Sequence, residues 1–179
     1  MEIQGWLRFT DRRDRGAFPV YDAAGLEVAR IKTSRAGTRF NATDSNGALL
    51  CAGTAAWLGL SGVWRTSGPS GQPLLAVRKS PLRARAVAAL ERGSDVVMRG
   101  SVWKRDFQVT DASGAVILTA LPSAASLSLQ PHEFVIEQPE HILSLAEVVA
   151  LVATWRLMRK SDNAATAGAA AIAVITAGG

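Results

Sequence analysis

A chain of 179 residues that is 48% hydrophobic and 20% charged is long enough to bury one core, and its composition is that of an ordinary soluble protein, which argues against global disorder. Its single cysteine, Cys51, excludes an internal disulfide and fits a reducing compartment, where it reads as a buried structural thiol. The formal charge is +5, carried mostly by arginine, so an anionic partner is one expectation and arginines scattered over a solvated surface the other.

The opening MEIQGWLRF has no apolar run behind a basic start, so no secretory signal is expected, and Ile3 to Thr10 reads as a strand. Short β-type runs then flank a series of turns: Asp22-Ala-Ala-Gly25, Asp44-Ser-Asn-Gly47, Ser67-Gly-Pro-Ser-Gly71, and Asp111-Ala-Ser-Gly114. Asp bonds its own backbone in such turns, and Gly supplies the positive φ they need. The wide gap between the last two is filled by Glu91-Arg-Gly-Ser-Asp95, which puts Gly93 near its centre. Residues 81–92 therefore read as a strand leading into that turn rather than as an alanine-rich helix. Five hairpins give ten strands, and the opening strand and Glu133 to Glu137 (EFVIE) bring the count to about twelve. That many twisted strands curl, and closure removes their edges.

Residues 142–158, ILSLAEVVALVATWRLM, predict a helix begun with help from Pro139. Ile142, Leu145, Val149, Val152 and Trp155 belong to an apolar surface that extends nearly all round, so the helix must be enclosed. Seventeen residues make about 25 Å, short of a hydrocarbon core of about 30 Å, so the expected enclosure is the chain's own sheet. The prediction is mainly β, a closed antiparallel barrel of about twelve strands around a central hydrophobic C-terminal helix. Residues 1–160 form this barrel domain, and residues 161–179 form an Ala/Gly-rich tail.

The order of these units resembles the LURP-one-related family, part of the group that includes the tubby C-terminal domain and the phospholipid scramblases. The residues that carry the likeness are Tyr21-Asp22-Ala-Ala-Gly25, Asp44-Ser-Asn-Gly47, Met98-Arg-Gly100 followed by Phe107-Gln-Val-Thr-Asp111-Ala-Ser-Gly114-Ala-Val-Ile, and His132-Glu-Phe-Val-Ile-Glu137 before the helix. The resemblance implies a twelve-strand barrel wrapped around its helix. The third turn, with Ser67-Gly-Pro-Ser-Gly71 in place of Asp-x-x-Gly, departs from the pattern, as does the tail. No scramblase-type calcium motif, palmitoylation cluster or tubby-type basic pair is found, so no family site is carried over.

No signature of nucleophilic catalysis or of a phosphate-cradling loop is present, and His132 and His141 are too far apart to suggest a metal site. A non-enzymatic protein without cofactor or metal is expected. Arg78, Lys79, Arg83, Arg85, Arg92, Arg99, Lys104 and Arg105 face only Glu91 and Asp95 in the same stretch, a net +6, and form the candidate anion-binding set. Trp57, Leu58 and Leu60, with Trp64 nearby, are the candidate membrane-contact residues, because Trp favours the bilayer interface. The leading expectation is a cytoplasmic module, peripheral to a membrane, that binds anionic phospholipid or a partner at that surface. A protein-interaction module without lipid is the alternative, and nucleic acid is the weakest, since no recognition helix or stacking motif supports it.

Overall fold

The turns show most directly how the sequence builds the fold. In each of the five hairpins the residue at the head of the turn accepts a hydrogen bond from the glycine three positions on, as Asp22 O does from Gly25 N at 3.0 Å. Its own N–H donates to the carbonyl four positions on, as Asp22 N does to Leu26 O at 2.9 Å. This is a three-residue loop closed by a left-handed glycine, with φ between 80° at Gly25 and 91° at Gly114. The third turn has the same backbone bonds with Gly68 at its head, so the departure in sequence is not one in geometry. Asp22 Oδ1 and Asp44 Oδ1 each accept two further backbone N–H groups at 2.8–2.9 Å.

The computed structural model describes residues 6–10, 17–58, 61–79, 85–100, 106–122, 133–139 and 142–158. Twelve strands run in chain order: β1 Leu7–Thr10, β2 Phe18–Tyr21, β3 Glu27–Thr33, β4 Arg39–Asp44, β5 Leu49–Leu58, β6 Ser61–Ser67, β7 Pro73–Lys79, β8 Arg85–Leu90, β9 Asp95–Gly100, β10 Phe107–Thr110, β11 Val116–Pro122 and β12 Glu133–Glu137. Each pairs antiparallel with its chain neighbours, and β1 pairs with β12, so the sheet closes as an up-and-down barrel. Strands such as β8, RAVAAL, alternate outward and buried positions, with Ala86, Ala88 and Leu90 turned inward, as a wall with one dry face requires. Residues 81–84 and the tail 161–179 lie outside the described residues.

The helix α1, residues 145–158, fills the interior. Seven consecutive residues, Val148 to Thr154, are at most 2% exposed, which requires cover on every side of the rod. Leu145, Val149, Val152 and Trp155 are buried as expected, but Ile142 is 39% exposed and precedes the helix. The correction has a local cause. Ser144 caps the helix: its Oγ lies 3.3 Å from Glu147 N, while Glu147 Oε2 accepts from Ser144 N and Oγ at 2.8 Å. This reciprocal Ser-x-x-Glu box starts the helix after Ser144, so Pro139 takes no part in its first turn. The lead-in is held by Gln138, whose amide bonds both Leu143 N and Leu143 O. At the other end Arg156 donates to Thr10 O at 3.2 Å and stacks 4.1 Å from the Phe18 ring centre. No helix among the described residues is long and apolar enough to cross a membrane.

Candidate functional site

Up-and-down order puts all five glycine turns at one end of the barrel, with the start of α1, and the remaining strand connections at the far end. Charge divides the same way. Among the described residues, Asp22, Asp44, Glu91, Asp95 and Asp111 sit at the turn end with one base, Arg92. Lys32, Arg35, Arg39, Arg78, Lys79, Arg85 and Arg99 sit toward the far end, against Asp106 and Glu133.

Three of the candidate arginines come together there. Arg85 and Arg99 are direct cross-strand partners, and Arg78 is the diagonal neighbour of Arg85, because Arg78 pairs with Val87. Directly opposed side chains stand about 5 Å apart at Cβ, and like charges so placed repel. Arg78 and Arg99 are exposed, Arg85 is half-buried, and among the described residues the Arg85 Nε has no hydrogen-bond partner and none of the three forms an ion pair. Val87, 36% exposed, lies among them. The row extends beyond the segment singled out by charge: Arg78 is diagonal to Arg65, and Arg65 and Arg39 both pair with Thr54. One oblique stripe of five arginines therefore crosses six strands. Arg39 and Arg65 were missed in the sequence because neither stands in a basic run; only the register reveals them.

The other candidates part company with this set. Lys79 follows Arg78 on β7 and takes the inner face of the wall. Arg92 is at the opposite end, where it donates to Ile142 O at 2.7 Å and pairs with Glu147 at 3.5 Å, so it braces the helix. Arg83, Lys104, Arg105 and Leu60 lie outside the described residues, as do the side chains of Trp57 and Leu58, whose backbones pair with Gly62 and Ser61. Trp64 is not part of an exposed edge: it is 4% exposed, with its ring 6.4 Å from that of Phe40 in the core.

Cys51 is fully buried, and desolvation pushes its thiol up to about 12. Among the described residues no group of three His, Cys, Asp or Glu is placed to hold a metal ion.

No family model matches the chain, and no curated protein matches it. Among solved structures the chain is similar to the X-ray structure of a protein from Arabidopsis thaliana, with a TM-score of 0.62 and 16% identity, over 86% of this chain and 91% of that one. At that identity the likeness is one of fold: a barrel of the same build.

Proposed function

We propose that the protein is a non-enzymatic binding barrel of the LURP-one-related kind, whose far end docks on an anionic phospholipid surface. The observation that carries this reading is the unpaired cluster Arg78, Arg85 and Arg99, with Arg85 and Arg99 held face to face without a carboxylate between them. Repulsion built into the wall is relieved when phosphate or carboxylate headgroups come between the guanidiniums. The acidic turn end would face away from such a surface, and the charge division supports that orientation. Each base near an anionic bilayer contributes about 1 kcal/mol, and added salt screens it.

Co-sedimentation with vesicles tests this. Phosphatidylserine-containing vesicles should retain the protein at low salt and release it as salt rises, and Arg78→Gln with Arg99→Gln should abolish retention. Equal recovery with neutral and anionic vesicles discards the lipid reading. A second reading, a protein-interaction module, draws on Leu26 and Leu49, which are 65% and 38% exposed at the turn end. It predicts a partner that stays bound at high salt.

A further inference from the structure

A separate feature lies on the outer wall across β4 to β8: a groove of about 660 Å³, within the range of small-molecule sites. Register lays out its floor. Arg39 pairs with Thr54, Thr54 with Arg65, Arg65 with Ala76, and Ala76 with Ala89, so one row reads guanidinium, hydroxyl, guanidinium, methyl, methyl. With strands about 4.8 Å apart, the two arginine Cα atoms stand about 10 Å from each other, within reach of one anion held over Thr54. Neither arginine forms an ion pair among the described residues, and both are exposed. From Arg65 to Ala89 the row runs another 10 Å or so, about the length of an eight-carbon chain, over side chains that are only methyl groups. Glu91 is part of the groove's lining and disfavours a second negative charge there.

We propose that this groove binds a single amphiphilic anion, its carboxylate or phosphate head held by Arg39 and Arg65 and its apolar body laid across Ala76 and Ala89. The inference does not depend on membrane docking, because its ligand is taken up as a dissolved monomer and its row of contacts excludes Arg78, Arg85 and Arg99.

The full chain is titrated with octanoate, octyl phosphate, octanol and inorganic phosphate, each below its aggregation concentration, with calorimetry as the readout. Octanoate, octyl phosphate or both should bind once per chain, and the preference between them identifies the head. Octanol lacks the charge and inorganic phosphate the body, so each should bind at least about tenfold more weakly, the loss expected for a missing charged hydrogen bond or a missing apolar contact. Arg39→Gln and Arg65→Gln should each cost a similar factor, Ala89→Trp should block the groove, and Arg99→Gln should leave affinity unchanged. These positions are on the outer wall, and thermal melts check that each variant is folded. Binding of octanol equal to that of the anions, unchanged affinity in both arginine variants, or an equal loss in Arg99→Gln would overturn the proposal, as would no binding by either anion.

Discussion

Arg92 and Glu147 tie the wall to the rod it surrounds: Nε of the first lies 3.5 Å from Oε1 of the second, while Glu147 Oε2 closes the box on Ser144. One carboxylate thus caps the helix, meets the β8–β9 turn and fixes where the rod enters the barrel. A buried acid inside an apolar helix is costly alone, and here both of its oxygens are matched.

Glu147→Ala should therefore destabilise the fold by about 2 kcal/mol, since it removes the cap and strands Arg92. Arg92→Ala should cost about 1 kcal/mol, the smaller figure reflecting a side chain that is 41% exposed. Chemical denaturation of both variants and the double mutant should show losses that are less than additive. Strict additivity would mean that the pair is not coupled.

Gly100 is half-buried at the end of β9, beside the helix. A Cβ there would meet the Trp155 ring and lie 2.6 Å from Asp106 O, a backbone atom that cannot step aside. Gly100→Ala should lower stability by about 2 kcal/mol through overpacking. Near-ultraviolet circular dichroism should show a change at Trp155, which also packs 5.4 Å from Phe107. An unchanged spectrum and melting point would contradict the close approach.

Thr154 is fully buried in the rod and its hydroxyl has no partner among the described residues. Replacing it by valine keeps the shape and removes an unpaired polar atom. Thr154→Val should raise stability by about 1 kcal/mol, read as a higher denaturation midpoint at an unchanged slope. A loss of stability would show that the hydroxyl is bonded after all.

Cys51 has its pKa raised by burial from 9.0 to about 12, which sets a pH dependence. The unfolded chain releases its thiol proton first, so this residue's contribution is complete below pH 9.0 and is lost as the pH rises from there through about 12. The expected slope is about 1.4 kcal/mol per pH unit within that window. Cys51→Ala should flatten it, and iodoacetamide should label Cys51 only under denaturing conditions.

The fold was legible because its turns follow a period. Gly25, Gly47, Gly71, Gly93 and Gly114 all take the left-handed conformation that their spacing suggested. Gly37, in the β3–β4 connection, is also left-handed, in a loop one residue longer in which Ser34 N donates to Arg39 O, and it went unread because it falls between two hairpins. The helix start was misplaced by three residues, although Ser144 and Glu147 have the spacing of a capping box; the apolar Ile142 and Leu143 before them drew the boundary outward. The candidate site was legible only in part. A run of bases along the chain does not say which end of a barrel each one reaches, and Arg92 went to one end while Arg78, Arg85 and Arg99 went to the other. Arg39 and Arg65 joined them through strand register, a relation between distant residues.

The enclosed rod has a consequence for how the protein is made. On a ribosome the rod emerges after all twelve strands, and β1 cannot meet β12 until Glu133–Glu137 has emerged. A nascent chain that stops at Glu137 holds every stave of the cask and nothing to brace them from within. The apolar lining then has only water or a chaperone to face, so a packed core must await the rod itself.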